Sequence, residues 1–213
     1  MTLPPGEPTT AEAVREWVER NSQNADRFGA IAEKYGSHRK EHGCYDVYPY
    51  PNGPLLGALA ASHPARRLLE VGCGLGYSGC WLMYGAGAAA TLDTIEVDNE
   101  HARIAKENFR SEGFGDRINI LPGRASALLP GLNHPYDIIY FDTDPAESLP
   151  GLDHFERLLK VGGLLISANL FLGQFAPDLP GLEKTAAYRM RILDPERWLT
   201  AYFADGTALS IRR

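Results

Sequence analysis

The stretch LLEVGCGLGYS, Leu68 to Ser78, decides the fold. It places an apolar run directly before three closely spaced glycines, Gly72, Gly74 and Gly76, and a helical pattern directly after them. Glycines let a backbone turn sharply and approach a ligand, and the start of the following helix offers free N–H groups to an anionic group. The stretch therefore predicts a buried strand, a ligand-binding turn and a helix, the first unit of an α/β sheet.

Short apolar strands alternate with helical stretches along the chain that follows, which is typical of a parallel sheet. We predict a single Rossmann-like, doubly wound α/β sheet of about seven strands, mostly parallel, with N-terminal helices. Asp205-Gly206 is typical of a two-residue hairpin turn, so a C-terminal antiparallel hairpin is expected to close the sheet. The predicted strands are Arg67–Val71, Thr91–Val97, Ile118–Leu121, Asp137–Phe141 and Leu164–Ser167, and the predicted helices are Leu55–Ser62, Tyr77–Tyr84, Glu100–Glu112 and Leu152–Lys160.

A length of 213 residues fits one domain. We expect residues 1–9 to be a loose tail, residues 10–52 an N-terminal helical or lid segment, and residues 53–213 the core. The lid segment contains HRKEH, in which His38 and His42 are four residues apart. A solvated charged face is the favoured interpretation of this motif, and a position over the active site is the alternative.

Composition and charge exclude several classes of protein. The net charge of -6 gives no basic footprint for a nucleic acid. No apolar run approaches the roughly 20 residues of a membrane span, and the N-terminus lacks the pattern of a secretory signal. The three cysteines form neither a disulfide framework nor a zinc motif. These observations predict a soluble, cytoplasmic protein that acts on a small molecule, with no nucleic-acid or membrane partner.

The spacing of the glycines distinguishes two classes of cofactor. A dinucleotide fingerprint needs a third glycine at position 77, where this chain has Tyr77. The G-x-G-x-G spacing favours S-adenosylmethionine (SAM), and a nicotinamide oxidoreductase is the alternative. Glu96 ends the second predicted strand, where its carboxylate can accept the ribose hydroxyls. The alternative role of Glu96, capping the next helix, suits Asp98 better.

At this point the sequence resembles class I SAM-dependent methyltransferases, and more narrowly the bacterial O-methyltransferases of the catechol and caffeoyl-CoA type. The resemblance covers about Gly53 to Arg212 and is carried by GPLLGALA, LLEVGCGLGYS, TIEVDNEHARIAKENF, YDIIYFDTD, LLKVGGLLISANLFLG and DGTALSIRR. It implies SAM as cofactor and a homodimer. It also implies that Glu70, Gly72 and Ser78 contact the methionine part, that Glu96 holds the ribose, and that Arg124 and Ala125 border the adenine. The complete set of predicted cofactor-binding residues is Tyr48, Glu70, Gly72, Gly74, Gly76, Tyr77, Ser78, Glu96, Val97, Arg124, Ala125 and Asp142.

The resemblance is incomplete where the family performs its chemistry. Asp142 corresponds to a residue that serves both the cofactor pocket and a divalent metal, whose other ligands in the family are an Asp-Asn pair. Here that pair reads Ala168-Asn169, so Asp142 and Asn169 are the remaining candidate ligands, and we expect Mg²⁺ binding to be weak or absent. The family's lysine base would fall near Asp144-Pro145, where the chain has none, and we assign no catalytic residue.

The leading hypothesis is O-methylation of a small molecule, aromatic or not. In one branch transfer proceeds without metal, by positioning of the acceptor, and in the other the protein binds SAM without turnover. N-methylation of a small molecule is a further alternative. Two sets of aromatic residues either line the acceptor site or have only a structural role, and these are Tyr45, Tyr48 and Tyr50 before the core and Phe171, Phe175 and Tyr188 after the fifth strand.

Overall fold

The computed structural model describes residues 10, 12–14, 16–17, 26–43, 47–174 and 176–213. Residues 12–14 and 16–17 are helical. The predicted loose tail, residues 1–9, lies outside the described residues, as do Tyr45 and Phe175. Among the helices that the structure describes, none has both the length and the apolar composition to cross a bilayer.

Within the described residues, seven strands form one sheet. Its order is β3-β2-β1-β4-β5-β7-β6. All neighbouring strands are parallel except β7, which is antiparallel to both β5 and β6. This arrangement confirms the predicted fold, and the strand order reverses between β1 and β4, where open α/β sheets bind ligands. The strands are β1 (Arg67–Val71), β2 (Thr91–Glu96), β3 (Ile118–Pro122), β4 (Tyr136–Phe141), β5 (Leu159–Ser167), β6 (Trp198–Tyr202) and β7 (Ala208–Arg212).

Helices cover both faces of the sheet. Because alternate residues of a strand point to opposite faces, Leu68 packs into one buried apolar cluster and Leu69 into another. The first cluster includes residues of α1 to α4, and the second includes residues of α6 and α7. The helices are α1 (Gly29–His42), α2 (Gly53–Ser62), α3 (Tyr77–Ala86), α4 (Asn99–Ser111), the short α5 (Ala125–Leu128), α6 (Pro145–Leu158) and α7 (Leu182–Arg191).

Helix α6 differs from the predicted helix Leu152–Lys160. It begins seven residues earlier and contains Pro150 in its interior. Pro150 has no N–H to donate to the carbonyl of Ala146, and Lys184 Nζ donates to that carbonyl instead, at 3.3 Å. The predicted helix also ended too late, because Leu159 already pairs with Tyr136 in the sheet.

The C-terminal hairpin is present, but its turn is longer than predicted. Phe203 N–H donates to Thr207 O at 2.8 Å, and Gly206 N–H donates to Phe203 O at 3.1 Å. The loop between the paired residues therefore has three residues, 204–206, and the predicted two-residue turn is wrong. Gly206 adopts φ +88°, the left-handed conformation that ends such three-residue loops.

Candidate active site

The three glycines of the β1–α3 turn all have positive φ, at +92° for Gly72, +49° for Gly74 and +92° for Gly76. A Cβ on Gly72 would lie 1.9 Å from the carbonyl oxygen of Asp142. On Gly74 it would lie 3.0 Å from Tyr35 Oη, and on Gly76 2.9 Å from Phe109 Cε1. Each glycine thus lets the turn pack against another part of the protein. The sequence suggested glycine at these positions only because the backbone must approach a ligand, so this packing is an additional reason.

Glu96 joins the end of β2 to this turn. Its Oε2 accepts the N–H groups of Cys73 and Gly74 at 3.1 and 2.8 Å, and its Oε1 accepts the N–H of Asp98 at 3.0 Å. A carboxylate has about four lone-pair positions, so one stays open for a sugar hydroxyl, and a second hydroxyl would have to replace an N–H.

Asp98 caps the N-terminus of α4. Its side chain accepts the N–H groups of Glu100 and His101 at 2.8 and 3.0 Å, as an N-cap does. Glu96 is therefore not needed as the cap, and its carboxylate faces the turn.

Glu70 lies beneath the turn, completely buried. Ser78 Oγ donates to its Oε1 and Thr94 Oγ1 to its Oε2, each at 2.6 Å. Burial raises the pKa of Glu70 to about 7, although the two hydroxyl hydrogen bonds act in the opposite direction. The structure thus brings the predicted pair Glu70 and Ser78 together, but each is already a partner of the other.

Asp142 and Asn169 meet at the carboxyl ends of β4 and β5. Asn169 Nδ2 donates to Asp142 Oδ1, and Tyr140 Oη donates to Oδ2 at 2.7 Å. Burial raises the pKa of the Asp142 carboxyl, and both hydrogen bonds oppose that rise. Sequence reasoning missed Tyr140, although it lies two residues before Asp142, a spacing that puts two side chains on the same face of a strand.

This group does not fit a divalent metal. Both oxygens of Asp142 have partners, Asn169 presents its amide N–H rather than its oxygen, and Ala168 is buried and apolar. Mg²⁺ is bound through oxygens, chiefly those of carboxylates and water. Within the described ranges, no group of three or more His, Cys, Asp or Glu side chains is arranged to hold a metal.

Three of the predicted cofactor residues follow strands at the same edge of the sheet, and a fourth, Tyr48, lies in the segment after α1. Val97 follows β2 and is 56% exposed. Arg124 and Ala125 follow β3, with Arg124 Nη1 3.9 Å from Glu147 Oε1 and Ala125 buried. Tyr48 is exposed, and the guanidinium of Arg39 lies 4.2 Å from the centre of its ring.

Tyr77 is directed away from this edge. It is 3% exposed, and its hydroxyl donates to Asp26 Oδ2 at 2.7 Å. Its ring therefore links α3 to the segment before α1.

The HRKEH motif lies at the end of α1. His38 is buried, with its ring centre 4.9 Å from that of His101 and 4.4 Å from that of His42. Burial and the two neighbouring histidines lower the pKa of His38. The prediction of a solvated charged face is therefore wrong for His38. This side chain packs against His101, whose Nδ1 lies 3.8 Å from Glu96 Oε1.

Two of the other aromatic residues are part of the core. Tyr188 is completely buried, with its hydroxyl 2.5 Å from Ser167 Oγ. Tyr50 is buried, its hydroxyl lies 2.8 Å from Thr207 Oγ1, and burial raises its pKa to about 12. Phe171 is half-buried against Tyr202.

Sequence comparison shows that this chain is related to known methyltransferases. A methyltransferase-domain family model matches residues 69–169. A protein of Mycolicibacterium vanbaalenii whose name places it among the O-methyltransferases is 33% identical over 184 residues, which cover 85% of this chain and 81% of that protein.

Solved structures confirm the fold. The cofactor-bound structure of Rv0187 from MTB has a TM-score of 0.77 at 23% identity, over 97% of this chain and 99% of that one. The O-methyltransferase TomG from Streptomyces achromogenes, in complex with SAM, has a TM-score of 0.73 at 22% identity, over 91% of this chain and 98% of that one.

Proposed function

Because this chain belongs to the O-methyltransferase family and is a SAM-dependent methyltransferase, we propose that it binds SAM on the turn of residues 72–76 and methylates an oxygen of a small molecule. The observation that carries the proposal is the contact between Glu96 and the turn. One carboxylate, held by three backbone N–H groups at the carboxyl end of β2, stands where a sugar hydroxyl would meet it.

The remaining cofactor contacts follow from the same edge of the sheet. Val97 and Ala125 border the adenine, together with Arg124. The carboxylate of SAM lies near the start of α3, where the first N–H groups of a helix are free to bind an anion. Tyr48 covers the cofactor from the N-terminal side, and Asp142 bounds it at the end of β4.

Methyl transfer needs an acceptor oxygen in line with the sulfonium methyl group. In that geometry the oxygen would form a bond to the methyl carbon, the carbon–sulfur bond would break with its electron pair going to sulfur, and the hydroxyl proton of the acceptor would pass to solvent water. Since the sulfonium is already activated, the contribution of the protein is mainly to hold the acceptor, which can lower the barrier by several kcal/mol. We propose that transfer proceeds without a metal, because Asp142, Asn169 and Ala168 do not form a fitting set of ligands.

The acceptor is proposed to enter beside Asn169. A small cavity of about 10 Å³ lies there between the ends of β4 and β5, lined mainly by apolar and hydroxyl side chains. This volume holds about one water molecule, so the cavity would have to widen to admit an acceptor. Its lining suits a small neutral molecule, and a phenol is the first class to test. The cavity is lined by Phe141, Thr143, Pro145, Ser148, Leu170 and Thr185 in addition to Asn169 and Ala168.

The second candidate function is SAM binding without turnover. It is favoured by the absence of the family's acid at Ala168 and of its lysine near Asp144. Under either function we also propose a cytoplasmic homodimer that does not bind nucleic acid, on the basis of the family resemblance and the net charge of -6. The division into a lid of residues 10–52 and a core of residues 53–213 is part of the same proposal.

Transfer of a labelled methyl group from SAM to a panel of phenols tests these functions. Parallel reactions with EDTA and with added Mg²⁺ should give the same rate, because no metal takes part. A rate that requires Mg²⁺ would contradict metal-free transfer. Saturable SAM binding with no transfer to any phenol would favour the second function. A titration with NADH should show no binding, and binding would revive the oxidoreductase alternative.

A further inference from the structure

Helix α1 contacts the proposed cofactor site through one face. Tyr35, His38 and Arg39 are three and four residues apart, so their side chains lie on the same side of the helix. Tyr35 and His38 are buried, and Arg39 is half-buried. The catalytic proposal uses none of the three. Tyr35 contacts the glycine turn, Arg39 contacts the segment of Val47 and Tyr48, and His38 contacts His101 on α4.

Tyr35 fixes the turn itself. Its hydroxyl oxygen accepts the N–H of Leu75 at 2.9 Å, between the second and third glycines. The carbonyl of Leu75 accepts Asn108 Nδ2 at 2.8 Å, so side chains from α1 and α4 hold both polar groups of this residue. Burial raises the pKa of Tyr35 well above its usual value, which keeps the phenol neutral. Without this oxygen, a buried N–H in the middle of the turn would have no partner.

Arg39 fixes the segment that covers the turn. Its Nη1 donates to the carbonyl of Val47 at 2.9 Å, and its guanidinium lies 4.2 Å from the ring centre of Tyr48. Val47 in turn lies against the turn, because its Cγ2 would be 3.1 Å from a Cβ on Gly74. A planar guanidinium can make both contacts at once, which a lysine ammonium cannot do equally well.

We propose that α1 is a clamp on the cofactor site, in which Tyr35 is the positioning residue of the turn and Arg39 that of Val47 and Tyr48. The inference rests on the proposed cofactor site. Between these two contacts, His38 packs against His101 and so holds α1 in place. Since a site that is already ordered loses less entropy when it binds, the clamp increases the lifetime of the bound cofactor. Loss of either contact should therefore appear mainly in the dissociation rate.

Binding of S-adenosylhomocysteine (SAH), the demethylated product of SAM, tests the clamp by calorimetry and stopped-flow displacement. Tyr35→Phe should weaken binding about tenfold, because the N–H of Leu75 loses its partner. Tyr136→Phe is the matched control. Tyr136 is equally buried and donates to Asp93 Oδ2 at 2.8 Å, but it lies at the opposite edge of the sheet. Its loss should lower the melting temperature and leave SAH affinity within about twofold of wild type.

The Arg39 variants give an independent result. Arg39→Met should speed SAH dissociation about fivefold, and Arg39→Lys should recover part of that loss. Arg103→Met is the control, because Arg103 is an exposed arginine paired only with Glu100 and Glu107 among the described side chains. If Tyr35→Phe does not fold, the variants at the half-buried position Arg39 test the clamp on their own.

Three outcomes separate the clamp from the proposed function. If the wild-type protein binds SAH and the Tyr35 and Arg39 variants release it faster, both the clamp and the proposed function are supported. Wild-type binding with unchanged SAH kinetics in these variants overturns the clamp and leaves the proposed function intact. No SAH binding by the wild-type protein overturns both.

Discussion

Gly72 passes so close to Asp142 that a Cβ on Gly72 would lie 1.9 Å from the carbonyl oxygen of Asp142. The two residues follow β1 and β4, the strands between which the order of the sheet reverses. Asp142 N–H donates to Val71 O at 2.9 Å, so the backbones are joined immediately before they separate. The proposed cofactor site therefore begins at a contact that only glycine can make.

Substitution of Gly72 by alanine should be severely destabilising. The new Cβ would meet backbone atoms that cannot rotate away, and φ is +92°. We expect a loss of at least about 4 kcal/mol in the free energy of unfolding, measured by urea denaturation. Gly113→Ala is the control, because Gly113 also has positive φ but has open space around it. It should lose only the backbone cost of about 1–2 kcal/mol. Equal losses in the two variants would contradict the steric account.

Glu70→Gln should change the pH dependence of stability. The native carboxyl keeps its proton up to about pH 7, whereas the unfolded chain releases it near 4.5. The stability that protonation confers is therefore complete below about 4.5 and lost as the pH rises through 7. At pH 8 the variant should be more stable than wild type by up to about 3 kcal/mol, and the difference should disappear towards pH 4.5.

Denaturation at pH 5, 6.5 and 8 measures this difference. Glu107→Gln, at an exposed position on α4, should show no such trend. A Glu70→Gln variant that is less stable than wild type at pH 8 would show that the native state requires the ionised carboxylate.

His38 should give the opposite dependence. Because its pKa is lowered in the folded protein, His38 takes up a proton near pH 6.5 in the unfolded chain but only at a lower pH in the folded protein. Stability should therefore fall as the pH decreases below 6.5. The groups that face His38 are His42 on the same helix and Asp98, Glu100 and His101 at the start of α4, and the two acids moderate the effect.

His38→Phe tests this dependence, because phenylalanine keeps a ring and cannot titrate. The variant should lose less stability than wild type between pH 7.5 and 5.5 in urea denaturation. His134→Phe, at an exposed position, serves as the control. Parallel curves for wild type and His38→Phe would refute the buried, neutral state of His38.

Local sequence patterns predicted the central part of the fold. The β1 strand, the glycine turn and the start of α3 are encoded by adjacent residues, and the observed strand β1, Arg67–Val71, has the predicted bounds. The prediction of Asp98 as the cap of α4 is confirmed, and it needed only the position of Asp98 between a strand and a helix. The ribose role of Glu96 stays a prediction that rests on the same kind of position. These features needed no knowledge of distant contacts.

Features that depend on distant residues were missed. Pro150 argues against a helix until Lys184 is seen to satisfy the carbonyl of Ala146. His38 looks solvated until His101 is brought against it. The reason for glycine at position 74 is the hydroxyl of Tyr35, almost forty residues earlier in the chain. In each case the partner is set by tertiary packing, which a local pattern does not contain.

The central claim is that the cofactor sits on the glycine turn with its sugar held by Glu96, and titration calorimetry with SAH tests it most directly. Wild-type protein should bind one SAH per chain. Glu96→Ala should weaken binding by at least about tenfold, since a charged acceptor contributes about 1.5–3 kcal/mol to a hydrogen bond. Glu107→Ala should bind as wild type does. No heat from SAH with the wild-type protein, or equal affinity in wild type and Glu96→Ala, would contradict the claim.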